Sequence, residues 1–228
     1  MEIVQMNEET YRIEDGGVRF FLLLGKEKAL LVDSGMNVHN AREIAESLTD
    51  LPLTLLNTHA DIDHIGSNSQ FQAPLMSPPE MGNYFEQFRQ NGEITPIWDG
   101  DTIELGEREL KVINIPGHTP GSVALLDPKY QALIAGDSVQ DGTIFMFGPQ
   151  REIHSYLHSL YRLKAMNSSF AQIWPSHGSI PLDVSVIDML IEGTEKVIAG
   201  ALEPTVAEIF GKSVSVYDLG GAKLLYNP

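Results

Sequence analysis

The sequence predicts an α/β fold in a single domain spanning residues 1–228, on three observations. Short apolar runs bounded by turn residues recur in both halves of the chain, as strands do. Between and after them lie segments whose apolar residues repeat at helical intervals. A composition with 43% hydrophobic and 20% charged residues suits one globular domain with a sizeable core.

From Glu2 to Val32 the runs IV, VRFFLLL and ALLV are separated by EDGG and GKEK, which reads as a meander of strands. The stretch from Val38 to Leu48 spaces Ile44, Ala45 and Leu48 as a helix does, and LTLL after Pro52 reads as a buried strand. That strand runs directly into NTHADIDHIGSN, so a dense group of ionisable residues sits on a loop at a strand end. The segment SPPEMGNYFEQFRQNG opens on a proline pair and carries Met81, Tyr84, Phe85 and Phe88 at helical spacing, predicting an amphipathic helix packed on the sheet. TIEL, ELKVINI, SVALLD and QALIAGD then make a second strand-rich half. Helices are expected from about Glu152 to Lys164 and from about Asp183 to Ala199, with the strand AQIWP between them. The order of strands and helices in the two halves is alike, but no residue-level repeat is visible.

Charge narrows the partners. Against 31 acidic residues stand 15 basic ones, and a net charge of −16 repels phosphate backbones and anionic lipid. The expected partner is a small-molecule substrate, with no nucleic acid and no membrane. The N-terminal stretch lacks the basic start and apolar core of a signal peptide, which makes the cytoplasm the expected location. With no cysteine in the chain, any metal has to be held by imidazole and carboxylate.

HADIDH packs four potential ligands, His59, Asp61, Asp63 and His64, into six residues. Read alone, it leaves a second reading open, an acidic turn whose carboxylates cap a helix beginning near Ile65, though such a density of ligand types rarely arises by chance. Three later segments each end a strand-like run and add one more ligand type: PGHTPGS with His118, AGDS with Asp137 and PSHG with His177. With these residues the chain resembles the metallo-β-lactamase superfamily, whose signature is His-x-His-x-Asp-His followed by a distant His, Asp and His in that order. The match runs from residue 33 to residue 177.

The resemblance implies a four-layer αββα sandwich of two mixed sheets flanked by helices. It implies a hydrolase with two divalent metal ions, one held by His59, Asp61, His118 and Asp137, the other by Asp63, His64, Asp137 and His177. On the same resemblance, Asp137 would be shared between them. Two such cations, about 3.5–4 Å apart, turn water into a hydroxide nucleophile near neutral pH and polarise the scissile bond. Asp63 is the expected catalytic residue, orienting the hydroxide or moving its proton. The DSG at residues 33 to 35 also matches a family element in which Asp33 orients the ligand loop; a simple turn after a strand accounts for it equally well.

Asp61 departs from the pattern, standing where most of the family has its second histidine. A third carboxylate beside Asp63 and Asp137 favours iron or manganese more than an imidazole-rich site does, so the expected metals are zinc or, given Asp61, iron or manganese. A glutamate at this position is familiar in the di-iron, oxygen-reducing branch of the superfamily, which adds a flavin-binding domain that these 228 residues are not expected to contain. Two alternatives to hydrolysis therefore stay open: a di-iron oxidoreductase served by a separate electron donor, and a metal-poor binding protein that keeps the fold. His154, His158 and His39 read as solvated residues.

Substrate signals are few. Phe145, Met146 and Phe147, with Trp98 and Tyr84, are candidates for an apolar pocket wall or for core. Glutathione thioester hydrolases of the superfamily carry an added basic helical segment at the C-terminus; only 51 residues follow His177 and few are basic, which disfavours glutathione. A small ester, lactone, thioester or phosphoester remains.

Overall fold

A computed structural model describes residues 1–88 and 93–228. The chain forms two compact units, one of Met1–Ile113 with Asp127–Lys129, the other of Asn114–Leu126 with Tyr130–Pro228.

In the first unit the strands are β1 (Glu2–Asn7), β2 (Thr10–Asp15), β3 (Val18–Leu24), β4 (Ala29–Val32), β5 (Leu53–Leu56), β6 (Leu75–Met76) and β7 (Thr95–Pro96), paired in sequence order in one seven-stranded sheet. Short turns join β1 to β4, so these pair antiparallel. From β4 onward the pairing is parallel, which needs crossovers; helix α1 (Ala41–Glu46) makes the first and α2 (Met81–Phe88) the last. The run VRFFLLL is buried on both faces of β3, as its lack of alternation implies. Phe20 and Leu22 pack with Leu31, Leu55 and the Ala41, Ile44 and Ala45 face of α1. A hairpin of β8 (Thr102–Glu104) and β9 (Glu109–Asn114) completes the unit. Beside it Arg108 is fully buried. Its Nη2 lies 2.5 Å from Asp127 Oδ2, and its Nη1 donates to the carbonyls of Glu9 at 2.6 Å and Leu24 at 3.0 Å.

The second unit holds β10 (Val123–Asp127), β11 (Ala132–Gly136), β12 (Thr143–Phe145), α3 (Ile153–Ala165), β13 (Gln172–Pro175), α4 (Val186–Ile198), β14 (Thr205–Ile209), β15 (Lys212–Asp218) and β16 (Lys223–Leu225). Strand β11 lies between β10 and β13, and pairs with β13 in parallel. A second sheet runs β12-β16-β15-β14. The carboxylate of Glu152 caps α3, accepting from the backbone N–H of His154 at 3.0 Å and of Ser155 at 2.5 Å. Ile153, Tyr156, Leu160 and Leu163 form its buried face, leaving His154 and His158 exposed, as expected; His39 is exposed too.

Four local features decide what the sequence left open or did not show. No α-helix begins at Ile65; turns lead into a single 3₁₀ turn at Asn68–Gln70, because hydrogen bonds to distant side chains take up the loop backbone. The helix expected in 77–92 starts at Met81 after a 3₁₀ turn at Pro78–Glu80, and residues 89–92 with the Phe88 side chain lie outside the described residues. Of the residues weighed as pocket wall or core, Tyr84 and Met146 are core: Tyr84 packs with Ala60, Ile65 and Met76, and Met146 is buried. Strands β12 and β14 to β16 are too short or too polar to stand out in the sequence.

Candidate metal centre

Except for His118, which lies on the loop between β9 and β10, the ligand set is carried on loops that leave the C-terminal ends of parallel-paired strands. In the first unit Val32 pairs with Leu56, so DSG after β4 and NTHADIDH after β5 emerge side by side. Asp33, buried and at φ 64°, accepts from the backbone N–H of Thr58 at 2.7 Å and from its hydroxyl at 2.7 Å. The same carboxylate lies 2.9 Å from His64 Nδ1.

These contacts settle tautomers. A carboxylate only accepts, so His64 Nδ1 carries the proton. Thr58 spends its one proton on Asp33, so at 3.0 Å it accepts from His59 Nδ1. Asp33 thus orients one imidazole directly and another through Thr58, which is what the DSG resemblance implied. In both rings Nε2 is left with the lone pair, and the rings lie 4.0 Å apart between centroids. His59 Nε2 is 3.6 Å from Asp61 Oδ2, and His64 Nε2 is 3.6 Å from Asp63 Oδ2.

The loop is clamped around these side chains. Asn57 donates to the His64 carbonyl at 2.9 Å, and Asn68 donates back to Asn57 at 2.7 Å. Gly66 lies against the Gly35 and Met36 carbonyls, where a β-carbon would come within 2.5 and 2.7 Å. The α2 segment supplies partners that the sequence reading missed. Glu80, fully buried, accepts from Ala60 N–H at 2.8 Å; Gln87 donates to the Ala60 carbonyl at 2.8 Å; and Asn83 donates to Asp61 Oδ1 at 3.3 Å. Asn83 and Gln87 stand four apart on one helix face, the available signal, but nothing in the sequence aims that face at Asp61.

In the second unit Gly136 pairs with Pro175, so Asp137 and His177 leave neighbouring strand ends. His177 Nε2 is 3.3 Å and His118 Nε2 is 3.7 Å from the same oxygen, Asp137 Oδ2. His118 Nδ1 donates to the Phe145 carbonyl at 2.9 Å, again directing Nε2 at the carboxylate. Arg151, also missed, donates to the His118 carbonyl. Gly117 sits at φ 137° where a β-carbon would fall 2.3 Å from Tyr156 backbone atoms, so HTPG can pass α3 only with glycine before the histidine.

The donor set fits a divalent cation. Two ligands 2.0–2.2 Å from one cation at a tetrahedral angle stand about 3.3–3.6 Å apart. The four imidazole–carboxylate separations span 3.3–3.7 Å, mostly longer than a hydrogen bond and close to that edge.

Comparison with known proteins follows the same line. The structure is similar to a metallo-β-lactamase from Pontibacter korlensis, with a TM-score of 0.73 and 19% identity over 85% of this chain and 98% of that one. It is similar to the metallo-β-lactamase IND-7 at a TM-score of 0.68, 18% identity and coverage of 83% and 95%. The fold is therefore the αββα metallo-β-lactamase fold. Residues 13–169 match the pattern of the metallo-β-lactamase superfamily, and the chain belongs to that superfamily. Human acyl-coenzyme A thioesterase MBLAC2 is 26% identical over 196 residues, 68% of this chain and 70% of that protein. A hydroxyacylglutathione hydrolase from Nostoc punctiforme is 27% identical over 176 residues, 74% and 68%. The protein is a metal-dependent hydrolase of this superfamily. Among the described residues no helix is long and apolar enough to cross a membrane.

Proposed function

We propose that this protein hydrolyses a small acyl thioester or ester, with two divalent cations held by His59, Asp61, His118 and Asp137 and by Asp63, His64, Asp137 and His177. The observation that carries the reading is the shared pattern of the four imidazole–carboxylate pairs. Wherever Nδ1 is tied to an acceptor, Nε2 faces a carboxylate at a distance suited to a common cation. Thioesters come first among substrates because the thioesterase MBLAC2 and the hydroxyacylglutathione hydrolase both align across most of this chain.

Divalent cations, when bound, supply Lewis acidity and bring the pKa of a water to about 7. The chain's own residues do the rest. Asp63, partly exposed on the loop, holds and moves the proton of the attacking water at its carboxylate. Asp33 keeps His59 and His64 in the tautomer that presents Nε2. Asp61, held at Oδ1 by Asn83, presents Oδ2 on the His59 side. Its charge is the reason to expect iron or manganese to compete with zinc at that position.

The test is metal content followed by a substrate panel. Elemental analysis is expected to find two divalent cations per chain in wild type and one after the double change His64→Ala and His177→Ala. A panel of thioesters, carboxylic esters, lactones and phosphodiesters should show thioesters fastest. Two cations retained by the double variant would refute the second ligand set, and activity confined to phosphodiesters would refute the acyl substrate.

A further inference from the structure

The turn between β14 and β15 breaks a local rule. Ile209 pairs with Lys212, leaving a two-residue connection of Phe210 and Gly211. Their φ values of 51° and 71° are both left-handed, the signature of a type I′ turn. The first position of that turn favours asparagine, aspartate or glycine, and a bulky aromatic there is strained. Phe210 does not recover this by burial, since 86% of it is exposed. A residue that opposes its turn and leaves its ring in water points to a role outside folding.

The Phe210 ring has neighbours that suggest the role. Its centroid lies 6.3 Å from that of Phe145, which lies 5.7 Å from that of Phe147. Phe145 and Phe147 are half-buried and alternate with the buried Met146, so both point to the same side of the chain. Their strand is rigid: Phe145 pairs with Leu225 of β16, and Met146 N–H donates to the Leu225 carbonyl at 2.8 Å. The Phe145 carbonyl is the acceptor for His118 Nδ1, so the aromatic row starts one residue's backbone away from a proposed cation ligand.

We infer that Phe145, Phe147 and Phe210 form an apolar subsite for the alkyl chain of the acyl group. The inference rests on the acyl-hydrolase reading above and names the part of the substrate it selects. Three adjoining rings, each contact tilted by 32°, present a continuous apolar surface, and a chain laid along it loses water at every methylene, which is worth about fourfold in affinity each. Phe210, at the hairpin tip, covers the distal end of the chain, so its contribution grows with chain length and vanishes for an acetyl group.

N-Acetylcysteamine thioesters from acetyl to decanoyl test this, because the uncharged leaving group leaves the acyl end as the only variable. In wild type kcat/KM is expected to rise with chain length. Phe210→Asn suits the type I′ turn, so the variant should melt at or above the wild-type temperature while the decanoyl-to-acetyl ratio of kcat/KM falls about tenfold. Binding of the uncleavable S-decyl thioether of N-acetylcysteamine, measured by calorimetry, should weaken by a similar factor. An unchanged chain-length ratio, or unchanged thioether affinity, would overturn the subsite. If wild type cleaved none of the thioesters, the acyl-hydrolase reading would fall, and the thioether measurement would still judge the subsite by itself.

Discussion

Asp33 shows how much one buried carboxylate can organise. It accepts the Thr58 amide and hydroxyl and the His64 imidazole, and through Thr58 it sets the His59 tautomer. Replacing it with alanine removes three hydrogen bonds and both tautomer constraints. Asp33→Ala is expected to weaken cation binding about 10- to 100-fold, measured by competition with a chromogenic chelator. Retention at wild-type affinity would show that the imidazoles are oriented by packing alone. Asp15 performs a comparable task for the DSG turn, accepting backbone N–H groups of Met36 at 2.8 Å, Asn37 at 2.7 Å and Val38 at 3.1 Å. Burial pushes its pKa up, but these hydrogen bonds outweigh that and hold the carboxyl below its ordinary 3.8. A depressed folded-state pKa adds stability that is complete above the unfolded value and lost as pH falls through the folded one. The melting-temperature gap between wild type and Asp15→Asn should therefore be full at pH 7 and close below about pH 4. A gap that stayed constant into stronger acid would mean that the carboxylate charge is not what the turn uses.

At the scale of elements, parallel strand pairs decide where all the candidate ligands but His118 emerge, and close backbone approaches decide which residues the loops tolerate. Gly66→Ala would drive a β-carbon onto two backbone carbonyls that no rotamer change can move. It should destabilise the protein by roughly 2–3 kcal/mol in urea unfolding and loosen the HADIDH loop, lowering cation affinity as well. An alanine variant of wild-type stability would mean that the Gly35–Met36 turn yields. Arg108 ties the β1–β2 and β3–β4 turns to Asp127 within the first unit. Arg108→Ala strands a buried carboxylate and is expected to cost roughly 3–5 kcal/mol, whereas a matched apolar replacement of both residues should recover much of it. A small loss for the single change would imply that water reaches Asp127.

Over the whole molecule, a net charge of −16 makes bound cations a matter of stability as well as chemistry. Asp61, Asp63 and Asp137 add their charges to a chain already acidic, and a cation that binds only the folded state stabilises it by about 2.7 kcal/mol at a hundredfold excess over Kd. Chelation should lower the melting temperature by about 5 °C or more, and adding back zinc, manganese or ferrous iron should restore it to an extent that ranks the metals. A melting temperature indifferent to chelator and metal alike would mean that the donor set does not hold cations.

The seven candidate ligands and the alternation of strands and helices were legible in the sequence alone. Ligand chemistry is carried by residue type and short spacing, and strand and helix periods are local properties. Superfamily membership followed from the same residues. Only the tertiary structure decided what surrounds them. Asp33 meets His64 across 31 positions, and Asn83 reaches Asp61 across 22. Phe210 lies beside Phe145, while Tyr84 and Met146 turn into the core. These outcomes depend on strand register and on which way each side chain leaves the backbone, and no short-range pattern encodes either.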